Sequence, residues 1–193
     1  MRTPKGRGEP VLYLDFDGVL MHENVLWHPR RGAYLHAPEQ YRLFQHAALL
    51  EEMLWPYPTI QVVLSTSWVL QYRCAGAAKR LPCGLRVRVV GATYHSEMRK
   101  EAFRMLPRGE QVTQDVLRRR PGAWLALDDD PTGWPEWSVQ HLLVTDPHEG
   151  ISPANLQAEL RRRLALLANL QPVPVFDRTN RRPEGEPGGP VAS

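Results

Sequence analysis

Five short apolar runs alternate along this chain with segments whose apolar residues recur at helical spacing. The runs occupy residues 11–14, 60–64, 85–90, 124–127 and 141–145, and the helical segments occupy 39–55, 68–81, 111–117 and 153–170. Strands that alternate with helices form a parallel sheet with helices on both faces. The pattern therefore predicts an α/β fold, a three-layer α/β/α sandwich around a mostly parallel five-stranded sheet.

The length and composition predict a single domain with loose ends. A chain of 193 residues is long enough to bury a hydrophobic core, and chains of this length usually form one domain. Residues 1–9 are rich in Pro, Gly and basic side chains and are predicted to form a flexible arm. The domain is expected over 10–171. Proline, glycine and charges dominate from 172 to 193, which predicts a disordered tail.

Several classes of protein do not fit the composition. No apolar run approaches the roughly 20 residues of a membrane-spanning helix, and the first ten residues lack the apolar stretch of a secretory signal. Two cysteines, Cys74 and Cys83, form no disulfide framework, so a cytoplasmic location is expected. The histidines and cysteines show no zinc-binding spacing. A net charge of +3 permits a polyanionic partner without requiring one.

The first apolar run ends in two acids. Asp15 and Asp17 are separated by Phe16 and followed by Gly18. Because residues two apart in an extended segment point the same way, the two carboxylates are expected to face one spot. Their repulsion would be relieved by a cation, and Mg²⁺ prefers such oxygen ligands. The alternative is a simple turn, since Asp and Gly are common turn residues.

Polar residues also follow the second and fourth runs. Ser65 and Thr66 follow the second, where hydroxyls and a helix start are suited to hold phosphoryl oxygens. The alternative is ordinary helix capping. Asp128 and Asp129 follow the fourth run, together with a third acid, and are predicted to bind a cation rather than form a solvated acidic turn. Ligands of parallel sheets bind at these carboxyl ends of the strands.

A basic group is expected to complete the site. Residues 99–120 carry seven basic against three acidic side chains, and most of these are expected to be solvated. Arg108 precedes a predicted helix and is the first candidate to neutralise a phosphoryl group, with Lys100 as the alternative.

The order of these motifs resembles the haloacid dehalogenase (HAD) superfamily of phosphotransferases. The matching stretches are DFDGVL, LSTSW, PRGE and LDDD, in that order, over residues 11 to about 146. With the following VTDPHEGIS, they are similar to a small bacterial branch related to the HAD domains of nucleic-acid repair proteins. The third motif carries Arg where Lys is more usual in the superfamily, which leaves the choice between Arg108 and Lys100 open.

The resemblance implies a Rossmann-like fold and a role for each motif residue. Asp15 would attack phosphorus and form an aspartyl-phosphate, and Asp17 would act as general acid and base. Ser65, Thr66 and Arg108 would bind the phosphoryl group. Mg²⁺ would be held by Asp15, the backbone carbonyl of Asp17 and Asp128, with Asp129 in the surrounding shell.

The spacing of the motifs leaves no room for a large cap domain. The site is therefore expected to be open, covered at most by loop 21–38, and suited to a nucleotide, a nucleic-acid end or a phosphoprotein. This loop contains Trp27, His28, Arg30, Arg31 and Tyr34, which would either stack on a base and pair with phosphates or pack over the core.

Three other functions are alternatives to this one. A response-regulator receiver carries its acidic pair on the first strand and its phosphorylated Asp later, which reverses the order found here. A glycosyltransferase with a D-x-D metal site usually needs a larger domain. The remaining alternative is a catalytically inactive HAD-fold binding module, although all the key acids are present.

Overall fold

The computed structural model describes residues 3–169. In chain order the strands are β1 (Pro10–Leu14), β2 (Val25–His28), β3 (Gly32–Leu35), β4 (Gln61–Leu64), β5 (Val89–Ala92), β6 (Ala123–Asp128) and β7 (Leu142–Val144). The helices are α1 (Ala47–Leu54), α2 (Val69–Ala78), α3 (Cys83–Arg86), α4 (Lys100–Met105), α5 (Arg108–Arg119), α6 (Glu136–Val139) and α7 (Ala154–Asn169).

Five parallel strands form the central sheet in the order β5-β4-β1-β6-β7. The residues of β1 are fully buried and alternate between two cores: Leu12 and Leu14 pack towards the face covered by α1, α2 and α7, and Val11 and Tyr13 towards α5. Such a strand, covered on both faces, explains the continuous apolar run. The predicted three-layer sandwich, with its parallel five-stranded sheet, is confirmed.

The register of the central strands brings three motifs to one edge. Leu14 pairs with Leu64 of β4 and with Leu127 of β6. Because the strands are parallel, the residues that follow each of these partners emerge side by side at the carboxyl edge of the sheet. Asp15 and Ser65 therefore lie beside the end of β6.

Two elements differ most from their sequence-based boundaries. The run 85–90 was expected to be one strand, but its first residues belong to α3, which follows Pro82, and β5 begins only at Val89. The turn after α3 is fixed by Arg88, whose guanidinium donates to the carbonyls of Leu54, Tyr57 and Ile60. The helix expected over 39–55 is likewise shorter and begins at Ala47.

Loop 21–38 is more regular than expected, because it contains the antiparallel hairpin β2–β3. The Ala33 N–H donates to the Tyr72 hydroxyl at 2.9 Å, which ties the hairpin to α2. Within residues 3–169, no insertion larger than this hairpin separates the motifs, which confirms the absence of a large cap domain.

The ends of the chain were expected to be loose. In residues 3–9, the Gly8 N–H donates to the Arg120 carbonyl at 3.0 Å, and Arg119 donates to the Lys5 carbonyl. The division into a flexible arm, a domain over 10–171 and a tail stays a prediction, and the tail 172–193 lies outside the described residues. Within residues 3–169, no helix is both long and apolar enough to cross a bilayer.

Candidate active site

Asp15 and Asp17 follow β1 but bind different partners. Asp15 is 3% exposed, and its Oδ1 accepts the N–H of Phe16 at 2.7 Å. Asp17 accepts the indole N–H of Trp68 at 2.9 Å and 3.0 Å, one distance for each carboxylate oxygen. The second acid is therefore held beside the start of α2, whereas the first faces the end of β6.

Three carboxylates converge at this edge of the sheet. Asp15, Asp128 and Asp129 each offer an oxygen, and these oxygens lie within 4.8 Å of one another. Asp128 is fully buried, and its Oδ1 accepts the Asp130 N–H at 3.2 Å. Its Oδ2 has no hydrogen-bond partner in the described part of the chain. A cluster of oxygen ligands that includes a buried oxygen without a hydrogen bond fits Mg²⁺, which prefers oxygen ligands.

The environment of these acids opposes their ionisation. Burial raises the pKa of Asp15 and Asp128, and in Asp128 the charge of Asp15 adds to the effect. Burial, followed by the charge of Asp15, raises the pKa of Asp17 to about 7 and that of Asp129 to about 6. Carboxylates in this situation favour a proton or a cation between them.

Arg108 is the basic side chain that reaches the acids. Its Nη2 lies 3.0 Å from Asp15 Oδ2, and its Nε lies 3.3 Å from Asp128 Oδ2, close enough to attract but not aligned for a hydrogen bond. The same guanidinium donates to the Ser65 carbonyl and, at 3.1 Å, to Gln111 Oε1. Lys100 begins α4 and forms no ion pair with any acid among residues 3–169.

The first turn of α5 holds Arg108 in place. Pro107 precedes the helix, and the Gly109 N–H donates to the Thr132 carbonyl at 3.1 Å. A β-carbon at Gly109 would collide with the backbone of Gly133, so the helix start lies directly against the loop after β6. This packing fixes the guanidinium between β1 and β6.

The hydroxyls after β4 lie beside the acids. Ser65 continues the strand pairing through its N–H, which donates to the Leu14 carbonyl at 2.9 Å, while its buried Oγ has no hydrogen-bond partner in the described chain. Thr66 is also buried, and its hydroxyl accepts the Trp68 N–H at 3.4 Å. An unpartnered buried hydroxyl is suited to receive a ligand oxygen.

Two residues of the site, Trp68 and Gln111, were not predicted from the sequence. Trp68 orients Asp17. In the sequence, its position directly after the hydroxyl residues 65–67 could have indicated this role. Gln111 follows Arg108 by one helical turn and also donates to the Leu106 carbonyl at 2.9 Å, which holds the guanidinium against α5. Helical spacing from Arg108 could have indicated it.

Gly18 allows the turn after β1 to approach Asp129. Its φ is +67°, a left-handed conformation that favours glycine, and a β-carbon there would collide with the Asp129 side chain. Its carbonyl accepts the Thr145 hydroxyl at 2.6 Å, which links the turn to the end of β7. The glycine thus sets the position of one of the three clustered carboxylates.

We expect Gly18→Ala to lower the free energy of unfolding by about 2–3 kcal/mol, since it combines a left-handed backbone with a displaced neighbour. Chemical denaturation measures this loss. The matched control is Gly8→Ala, because Gly8 has a φ of +75° but nothing within 4 Å of the added carbon. Equal losses in the two variants would contradict the role given to the contact with Asp129.

A cavity of about 370 Å³ opens beside the acids. It lies between the hairpin β2–β3, α2, α4 and α5, and Asp17 and Arg108 form part of its wall. Its aromatic lining consists of Trp27, Trp68, Tyr72 and Phe103. Of the five loop residues singled out in the sequence, Trp27 lines the cavity and is 48% exposed, whereas the other four do not line it.

Comparison with known families gives one match. The family model described as "HAD domain in Swiss Army Knife RNA repair proteins" matches residues 11–156, more than half of the chain. No curated protein and no solved structure matches the chain.

Proposed function

Since the chain belongs to the family of HAD domains in Swiss Army Knife RNA repair proteins, we propose that it is a Mg²⁺-dependent phosphomonoesterase that acts through an aspartyl-phosphate. The observation that carries this proposal is the cluster of Asp15, Asp128 and Asp129, with the Arg108 guanidinium paired to the first two. The unpartnered hydroxyl of Ser65 next to this cluster supports it.

The first half of the reaction transfers the phosphoryl group to Asp15. A carboxylate oxygen of Asp15 forms a bond to phosphorus as the bond to the leaving oxygen breaks, and protonated Asp17 gives that oxygen its proton. The raised pKa of Asp17, about 7, favours a protonated carboxyl before the reaction. The Trp68 indole holds this carboxyl in place.

The second half releases phosphate. Asp17, now ionised, takes a proton from water, the water oxygen bonds to phosphorus, and the bond between Asp15 and phosphorus breaks. Arg108, Ser65 and Thr66 bind the phosphoryl oxygens in both halves, and Arg108 offsets the negative charge that the attacking carboxylate meets.

The oxygen-only donor set fits Mg²⁺. Asp15, the backbone carbonyl of Asp17 and Asp128 would hold the ion, with Asp129 beside them, and the ion would screen the carboxylate from the anionic phosphate. The buried Oδ2 of Asp128, which accepts no hydrogen bond within residues 3–169, is the feature of this chain that supports such a site.

The aromatic cavity beside the site favours a nucleotide or a nucleic-acid end as the substrate. Trp27, which is 48% exposed, offers a face on which a base would stack, and the matched family is described by its role in RNA repair. A phosphoprotein is the alternative substrate. A cytoplasmic location stays a prediction.

Phosphate release from a generic aryl phosphate tests the activity. We expect release with Mg²⁺ and none with EDTA, followed by faster release from nucleotides or from oligonucleotides phosphorylated at either end. A folded protein that releases no phosphate from any of these substrates would contradict the proposal and favour the catalytically inactive binding module.

Mg²⁺ is also expected to stabilise the fold. At about a hundred times its dissociation constant an ion adds about 2.7 kcal/mol, which corresponds to a rise in Tm of about 5–10 °C for a domain of this size. Differential scanning fluorimetry in EDTA and in Mg²⁺ measures the shift. Asp128→Asn should abolish it, because this variant removes a ligand.

The control for the metal site is Asp130→Asn. Asp130 lies outside the cluster of three carboxylates, and its Oδ1 accepts the Thr132 N–H, which the Asn oxygen can also accept. Asp130→Asn should therefore keep the Mg²⁺ shift. A shift retained in Asp128→Asn, or lost equally in both variants, would contradict the assignment of Asp128.

A further inference from the structure

A second cavity of about 680 Å³ lies along the outer edge of β5, the edge strand of the sheet. Its wall contains four cationic side chains, those of Lys5, Arg73, Arg118 and Arg119, together with His95 and, among the described residues, no acidic side chain. Cavities of about 300–1,000 Å³ are typical of ligand sites. The lining favours an anionic ligand.

The positive charge of this cavity is only partly compensated. Arg118 and Arg119 share a single carboxylate, that of Asp115, which is 2% exposed and lies outside the cavity wall. Within residues 3–169, neither Lys5 nor Arg73 forms an ion pair. Because Arg119 is only 2% exposed, the positive charge that a ligand would meet is mainly that of Lys5, Arg73 and Arg118.

His95 also lies in this wall. Burial and then the charge of Arg118 lower the pKa of this imidazole. Its ring and that of Tyr94 belong to the cavity wall, where aromatic faces beside cations are suited to a nucleotide. Most of the basic residues of 99–120 were expected to be solvated, yet Arg118 and Arg119 line this cavity.

Arg73 has a strained backbone at the cavity. It interrupts α2 with φ 58° and ψ 168°, a conformation that is rare outside glycine. Such a backbone conformation is strained in a non-glycine residue, and residues of this kind cluster at ligand sites. Nothing in the chain's topology requires an arginine there, since glycine would adopt this backbone without strain.

The first turns of α2 separate this cavity from the one beside the acids. Trp68 and Tyr72 line the first cavity, and Val69 and Arg73 line the second. On the other side, Phe103 of the first cavity packs on Tyr94 of the second, with ring centroids 5.2 Å apart. A nucleic-acid strand whose end lies in the first cavity would reach the second cavity by crossing α2.

We propose that the basic cavity on β5 binds the phosphodiester backbone of a single-stranded nucleic acid whose end lies at Asp15. This second anchoring site rests on the proposed function for the identity of the strand. The cations of Lys5 and Arg73 contact its phosphates, and the rings of Tyr94 and His95 contact a base. The site makes affinity depend on strand length rather than on the terminal phosphate alone.

The test compares two double variants that remove the same charge. Lys5→Gln with Arg73→Gly removes two cations from the cavity, and the glycine relieves the strained backbone, so the fold should be kept. Arg161→Gln with Arg162→Gln removes two cations from the exposed face of α7, and neither residue lines the cavity. The probe is a labelled single-stranded RNA of about twelve nucleotides with hydroxyl ends, followed by fluorescence anisotropy.

We expect the cavity variant to bind this RNA about tenfold more weakly, with a salt slope shallower by about 1.4, as the loss of two phosphate contacts predicts. The α7 variant should bind like the wild type. Equal weakening in both variants, or none in the cavity variant, would overturn the proposal. So would inorganic phosphate that displaces the RNA as well as unlabelled RNA does at equal phosphate concentration, since it would indicate a small-anion site.

Hydrolysis of the aryl phosphate separates this proposal from the proposed function. The cavity variant should hydrolyse it at the wild-type rate, because the small substrate does not reach β5. A wild type that binds RNA through Lys5 and Arg73 but hydrolyses nothing would support the second site and contradict the phosphohydrolase.

Discussion

Asp15→Asn should lower Mg²⁺-dependent phosphate release by a factor of about 10⁴ or more, as expected when a nucleophile is removed. The amide has nearly the shape of the carboxylate, and its oxygen can still accept the Phe16 N–H. It cannot form the acyl-phosphate at a useful rate, because a neutral amide is a poor nucleophile. Release of phosphate from an aryl phosphate, measured with and without Mg²⁺, gives the loss.

The fold should survive this change. Asp15 is one of three clustered carboxylates, two of which pair with Arg108. Removing its charge therefore relieves repulsion, while Arg108 keeps its contact with Asp128. We expect the Tm in EDTA to stay within a few degrees of the wild type or to rise.

Asp130→Asn is the control for Asp15→Asn. It neutralises a nearby acid that is not part of the cluster, and activity should stay within about threefold of the wild type, as for most changes away from the reacting groups. Comparable losses in both variants would show that the activity depends on the local negative charge rather than on a nucleophile at position 15.

The positions of the motif residues could be predicted because parallel strands obey a simple rule. Each strand is an apolar run, and the residue after it lies at the carboxyl edge of the sheet, so the sequence alone places Asp15, Ser65 and Asp128 together. Arg108 could be proposed from its position at a helix start. These inferences need only local pattern and strand direction.

The features that the sequence did not reveal all depend on contacts between distant segments. The indole of Trp68 reaches Asp17 across 51 positions of the chain, and Gly18 is required by the side chain of Asp129. The late start of β5 depends on Arg88, whose guanidinium binds three carbonyls around the end of α1. Periodicity carries no information about such pairings.

The hairpin β2–β3 illustrates the same limit. Its strands are four residues each, and their residues are exposed or half-buried without strict alternation, so they lack the pattern by which half-buried strands are recognised. What holds the hairpin in place is partly the Tyr72 hydroxyl from another element.

Arg108→Ala should lower activity by about 10²–10³, the loss typical of removing a group that stabilises developing charge. In EDTA it should also lower the free energy of unfolding by about 3–5 kcal/mol, because two buried carboxylates, Asp15 and Asp128, lose their shared partner. Steady-state kinetics and chemical denaturation measure the two effects, and Mg²⁺ should restore part of the stability.

Two further variants decide which basic residue serves the site. Arg108→Lys keeps the charge, but one ammonium cannot contact Asp15, Asp128 and the Ser65 carbonyl together as the guanidinium does. Its activity should therefore fall between those of the wild type and Arg108→Ala. Lys100→Gln should leave activity unchanged, since Lys100 pairs with none of the described acids. The reverse outcome, loss in Lys100→Gln and full activity in Arg108→Ala, would assign the role to Lys100 and require α4 to move towards the acids during the reaction.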